Sequence, residues 1–281
     1  MMKVFEITTP LGHAISLTEF SSNSNKNKVV LICSATGVLQ GYYQKFASFL
    51  SSKEITAYTF DYAGIGASKK DNLKAFDISL TNWAINDINS VLHYIKEKHP
   101  EAQIDCVCHS IGGQILGLTP ANKYINNVVL VASQSVYFKH WKGFGRLQMY
   151  LNWHVIFPIF TTVFGYLPSK KITGMENLPK SMAQEFASWG RKKDYLFHYK
   201  KKEELYHHQI NGKVTSYSTD NDTFAPKKAI DWMTKKYFNA EIIRKHLTPK
   251  NYNVDNIGHF GFFKSKFKDN LWNEFLLDLE V

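Results

Sequence analysis

The run Ile104-Asp-Cys-Val-Cys108, continued by His109-Ser110-Ile-Gly-Gly113 and then by Gln114-Ile-Leu-Gly-Leu118, decides how this chain is read. The first five residues form a short apolar run suited to a buried strand, and the residues after Ser110 carry helical patterning. A strand that turns straight into a helix leaves no room for bulk two residues before and two after the central serine. Cys108 and Gly112 occupy those positions. Such a turn projects the Ser110 hydroxyl from the top of a sheet, which is what a nucleophile requires. The text departs from GxSxG only in having Cys108 for the first glycine. The plainer role for Ser110 is a helix N-cap. His109 reads as a packed neighbour, because adjacent residues on so sharp a turn diverge.

Outward from this turn, β-rich runs alternate with longer helical patterns, which implies parallel βαβ units. Val29–Cys33, Thr56–Phe60, Ile104–Cys108 and Val128–Ala132 read as strands, with Val214–Ser218 and Asn251–Val254 as two later ones. Tyr42, Phe46, Phe49 and Leu50 mark one helix, and Leu80–Lys98 another. From Ser133 to about His208 the pattern changes. Aromatic residues crowd together, no clear strand appears, and helical runs are interrupted by Pro158, Pro168 and Pro179. The expected organisation is an α/β body over 1–132 and 209–281, with an inserted helical cap over 133–208. Leu151–Leu167 is the most apolar stretch. It is marginal in length for a membrane span and suits a cap helix or pocket lining better, with a monotopic membrane contact as the lesser reading.

A serine needs a base to take its proton, and the base needs a partner to hold its tautomer. After a turn of this kind the acid and then the histidine follow in chain order. Ile257-Gly-His259-Phe-Gly-Phe-Phe263 stands past the last strand, so His259 is the candidate base. His207 and His208 lie in a charged stretch and read as surface residues. The acid belongs in Thr219-Asp220-Asn-Asp222-Thr-Phe-Ala-Pro226, where two aspartates compete. Asp222 is preferred, with Asp220 as a turn or capping residue. An oxyanion hole needs two backbone N–H donors. Ile111 follows the nucleophile, and Val38, in the loop Thr36-Gly37-Val38 after the first buried strand, is expected as the second.

Composition sets the outer limits. At roughly 150 residues per domain, 281 residues make one large domain or two. Hydrophobic residues make up 44% and charged residues 21%, the balance of a globular chain rather than a disordered or fibrous one. Three cysteines, none in CxxC spacing, exclude a disulfide framework and suggest a reducing, cytoplasmic setting. The net charge of +10 fits a solvated surface first and an anionic partner second. No zinc-finger, RNP or helix-turn-helix signature points to nucleic acid. No metal-ligand spacing and no dinucleotide GxGxxG is present, so neither metal nor cofactor is expected.

Taken together, ATGVLQGYYQKFASFL, CHSIGGQILGL, FGYLP and GHFGFF resemble the α/β-hydrolase superfamily, near its serine aminopeptidase and monoacylglycerol-lipase-like group. Asp61-Tyr-Ala-Gly-Ile-Gly-Ala-Ser68 also resembles that family's DxRGxGxS segment, with Ala63 where arginine is usual. Ala35-Thr36-Gly37 stands where His-Gly is common. The resemblance implies a mostly parallel eight-stranded sheet flanked by helices and a cofactor-free serine mechanism. The expected function is hydrolysis of a small-molecule carboxylic ester, less readily an amide or thioester, with an apolar acyl or aromatic group. In that mechanism Ser110 attacks, His259 shuttles the proton, Asp222 orients it, and Ile111 and Val38 hold the oxyanion. Acyl transfer by the same residues is one alternative. Two others are an inactive binding module on the same fold and a peripheral membrane or lipid-binding protein.

Overall fold

A computed structural model describes residues 1–22, 27–69 and 72–280. Its centre is an eight-stranded sheet: β1 (Met2–Thr8), β2 (Ala14–Phe20), β3 (Lys28–Cys33), β4 (Thr56–Phe60), β5 (Gln103–His109), β6 (Ile125–Val131), β7 (Lys213–Thr219) and β8 (Glu241–Leu247). They lie side by side in the order β1-β2-β4-β3-β5-β6-β7-β8. Only β2 runs against the rest, pairing antiparallel with both β1 and β4. The strands β3 to β6 are covered on both faces and read as unbroken apolar runs, as buried parallel strands do. One face packs under Trp83, Ile88, Leu92 and Ile115. The other packs under Phe46, Phe263, Trp272 and Phe275.

The central strands fall where the sequence places them, within a few residues. The last strand does not. Asn251–Val254, expected as a strand, is instead a 3-10 turn over Pro249–Tyr252 followed by a left-handed Asn253. The strand there is Glu241–Leu247, which carries Arg244, Lys245 and His246. As the sheet's edge it keeps charged side chains that a buried strand could not hold.

The expected helix from Leu80 to Lys98 is present, with a π-helical stretch at Trp83–Ile88 in its middle. Between β6 and β7 the chain is largely helical, with a two-residue ribbon pairing Tyr166–Leu167 against Leu178–Pro179. Its longest element runs from Gly143 to Phe164 without a break, through a π-helical stretch at Asn152–Ile156. Pro158 therefore does not interrupt it. The preceding wide turn accommodates a residue with no N–H to give. His207 is not a surface residue either: it is buried, its ring lying against Phe197 and Tyr237 and over Gly117. No described helix is long and apolar enough to cross a membrane.

Candidate active site

The turn after β5 is as tight as its sequence demands. Ser110 sits at φ +52° and ψ −113°, a conformation that side chains rarely tolerate. Its N–H extends the ladder to the Val131 carbonyl at 2.9 Å, and the helix Ile111–Ile115 starts at the next residue. The two glycines that follow are required by close approach. A Cβ at Gly112 would lie 2.7 Å from the Cys33 carbonyl, and one at Gly113 would lie 2.3 Å from Ser133 Oγ. Cys108 fits the position before the turn fully buried, and its carbonyl accepts from Ser133 Oγ.

Asp222 and His259 meet beside this turn. His259 Nδ1 is 2.8 Å from Asp222 Oδ2. The other carboxylate oxygen, Oδ1, accepts the N–H groups of Phe224 and Ala225 at 2.8 and 2.9 Å. An ionised carboxylate only accepts, so the His259 proton resides on Nδ1 and leaves Nε2 with a lone pair. This is the tautomer of a base. Among the described residues no hydrogen bond joins Ser110 Oγ to His259; such contacts commonly tighten when substrate arrives. Ser110 is largely buried, 6% exposed.

Asp220 points away. It is exposed, and its two oxygens pair with His246 Nε2 at 2.8 Å and Thr248 Oγ1 at 2.9 Å. Those two hydrogen bonds hold its carboxyl below the ordinary range.

The Ile111 N–H, first in its helix, has no acceptor among the described residues and is free to meet a developing negative charge. Val38 differs from expectation. Its N–H donates to the Ala35 carbonyl at 3.1 Å and closes a turn. Thr36 and Gly37 lie inside that turn, and their N–H groups have no acceptor among the described residues.

A buried hydrogen-bond chain ties these pieces together. Ala35 N–H donates to Tyr43 Oη at 2.9 Å. The Tyr43 hydroxyl then has its proton to give to His109 Nδ1, 2.7 Å away. That fixes the His109 proton on Nε2, which donates to the His259 carbonyl at 3.0 Å. Burial holds His109 well below the ordinary histidine range, so it is neutral. Two side chains, Tyr43 and His109, thus link the Ala35 loop, the turn before Ser110 and the loop of His259. Asn221 adds a second tie, accepting from Gly258 N–H and donating to the Asp255 carbonyl. Among the described residues no cluster of His, Cys, Asp and Glu could hold a metal ion.

The family model described as serine aminopeptidase, S33, matches residues 24–215, more than half of the chain and including the Ser110 turn. The chain belongs to the serine aminopeptidase S33 family. It is accordingly a serine hydrolase of the α/β-hydrolase superfamily. Solved structures of similar fold include an esterase from Pyrococcus furiosus, at 17% identity and a TM-score of 0.62, covering 100% of this chain and 91% of that one. A serine hydrolase without lid from Xanthomonas campestris aligns at 11% identity and a TM-score of 0.56, over 99% and 94%. Est1E from Butyrivibrio proteoclasticus, solved with ferulic acid bound, aligns at 15% identity and a TM-score of 0.59, over 99% and 100%. No curated protein matches.

The S33 match ends before Asp222 and His259, so those two rest on their geometry in this chain. Tyr43 and Asn221 went unread in the sequence. Tyr43 looks like one more apolar member of its helix, and Asn221 like a turn residue between two aspartates. Only the spatial meeting of three loops reveals what they do.

Proposed function

We propose that this serine hydrolase cleaves a carboxylic ester through an acyl-enzyme formed on Ser110. The observation that carries the reading is the His259–Asp222 pair at 2.8 Å, with the imidazole proton directed to the acid. His259 Nε2 takes the Ser110 proton as Oγ attacks the carbonyl carbon, and returns it to the leaving oxygen. A water then repeats the cycle and frees the acid. The oxyanion is met by the Ile111 N–H and by a second donor from Thr36 or Gly37, since Val38 is already bonded.

An ester is favoured over an amide by the company this fold keeps, including the Pyrococcus furiosus esterase and the ferulic acid complex. Phe224 and Phe260 flank the His259 ring, which suits an apolar acyl or aromatic group. Residues 133–208 serve as the cap. Trp141 Nε1 donates to the Thr223 carbonyl at 2.9 Å and Glu176 N–H to the Gly37 carbonyl at 2.8 Å, so this segment is tied to the loops on either side of Ser110.

The test is labelling by a fluorophosphonate probe together with a panel of p-nitrophenyl esters. Labelling that disappears in Ser110→Ala and His259→Ala is the expected result. A folded wild-type protein that neither labels nor turns over any ester would end this reading.

A further inference from the structure

The continuous helix from Gly143 to Phe164 is about 33 Å long. One face is packed: Trp153 is buried with its Nε1 on the Val136 carbonyl, and Met149, Phe157 and Phe160 lie against the core. The opposite face is apolar and uncovered. Phe144 is 79% exposed and Val163 69%, and Leu147, Leu151, Val155 and Ile159 stand exposed between them. Spacing of four would carry such a stripe around an ideal α-helix by roughly 40° per step. The π-helical stretch at Asn152–Ile156 widens one turn and takes back part of that drift, so the stripe stays on one side.

Charge says what covers it. From Cys106 to Met175 the chain contains no aspartate or glutamate. Exposed cations flank the stripe at both ends: Lys139, Lys142 and Arg146 before and within its first turn, Lys170 and Lys171 beyond its last. Of these, Lys170 has an acidic partner, Glu176 at 2.6 Å. A second copy of this chain laid on the stripe would set cations against cations in either orientation. A sheet of anionic lipid headgroups over acyl chains matches both features at once.

We propose that this face docks on the surface of an anionic phospholipid bilayer, the helix lying in the plane of the interface with its apolar side chains among the acyl chains. Because the flanking segments are bonded to Thr223 and Gly37, docking would hold the loops beside Ser110 close to the membrane surface. The proposal does not depend on the chemistry assigned to Ser110, and Ser110→Ala should dock as wild type does.

The test is co-sedimentation of the full chain with two vesicle preparations, phosphatidylcholine alone and phosphatidylcholine with about a third phosphatidylglycerol. The chain should bind the anionic vesicles, bind the neutral ones weakly, and lose part of its binding in high salt. The triple variant Phe144→Glu, Leu147→Glu, Val163→Glu, changed only at exposed positions, should weaken binding by at least about tenfold while keeping turnover of a water-soluble ester. Failure to bind anionic vesicles, or binding that the triple variant leaves intact, overturns the proposal. So does a sedimentation-velocity dimer that the variant dissociates while vesicle binding is absent, since the face would then belong to a second copy.

Discussion

Replacing Tyr43 with phenylalanine removes one oxygen and keeps the ring, which packs edge-on against Phe263 at 4.8 Å. The lost hydroxyl serves two groups. It accepts from Ala35 N–H and donates to His109 Nδ1, and both Tyr43 and His109 are fully buried. Truncation therefore strands one donor and one acceptor out of reach of water, at about 1–3 kcal/mol each. A loss of about 3 kcal/mol is a large share of the 5–15 kcal/mol that typically holds a domain folded. For a chain of this size it corresponds to a melting temperature lowered by roughly 6–12 °C. Urea unfolding followed by fluorescence measures it. Because Ala35 precedes the free Thr36 N–H and His109 holds the His259 carbonyl, fluorophosphonate labelling should slow as well, under conditions where the variant is fully folded. A Tyr43→Phe protein within about 0.5 kcal/mol of wild type and labelled at the same rate would refute the idea that this chain of hydrogen bonds positions the site.

The two aspartates separate cleanly by experiment. Asp222→Asn, which disturbs the His259 tautomer, should lower the labelling rate or kcat by about 10⁴, whereas Asp220→Asn, which touches only His246 and Thr248, should leave it close to wild type. Acid should destabilise the fold between neutrality and about pH 5 through two buried histidines. Burial lowers His207 to about 3 and His140 to about 4, so the unfolded chain binds protons that the native chain refuses between about pH 6.5 and those values. Stability should be at its full value above pH 7 and should fall on going to pH 5, by about 2 kcal/mol for His207 alone. Urea midpoints measured across that range check the sign, and a midpoint that rises on acidification would contradict it.

What could be read from the sequence was whatever a local constraint writes down. The Ser110 turn needs small neighbours, and Gly112 and Gly113 are glycine because Cys33 and Ser133 leave no space for a Cβ. Buried strands such as Lys28–Cys33 announce themselves as apolar runs. The edge strand Glu241–Leu247 escaped because half-solvated strands carry charges and lose that signature. Which N–H of the Thr36-Gly37-Val38 loop stays free depends on a turn closed on the Ala35 carbonyl, which no periodicity encodes. The charged neighbours of His207 suggest a surface residue, but its ring fills the space that Gly117 leaves open.

The backbone at Ser110 has an evolutionary reading. Its φ of +52° belongs to conformations that glycine adopts freely and serine does not, with a penalty of about 1–3 kcal/mol for a residue held there. Its hydroxyl makes no hydrogen bond among the described residues, so exchange for glycine removes no partner. Ser110→Gly should therefore melt higher than the wild-type protein while losing all labelling. Mutation at this codon trades activity for robustness, and a lineage released from selection for chemistry would slide toward a sturdier, silent copy of the same fold. A serine retained against that slope is a record of continuing use.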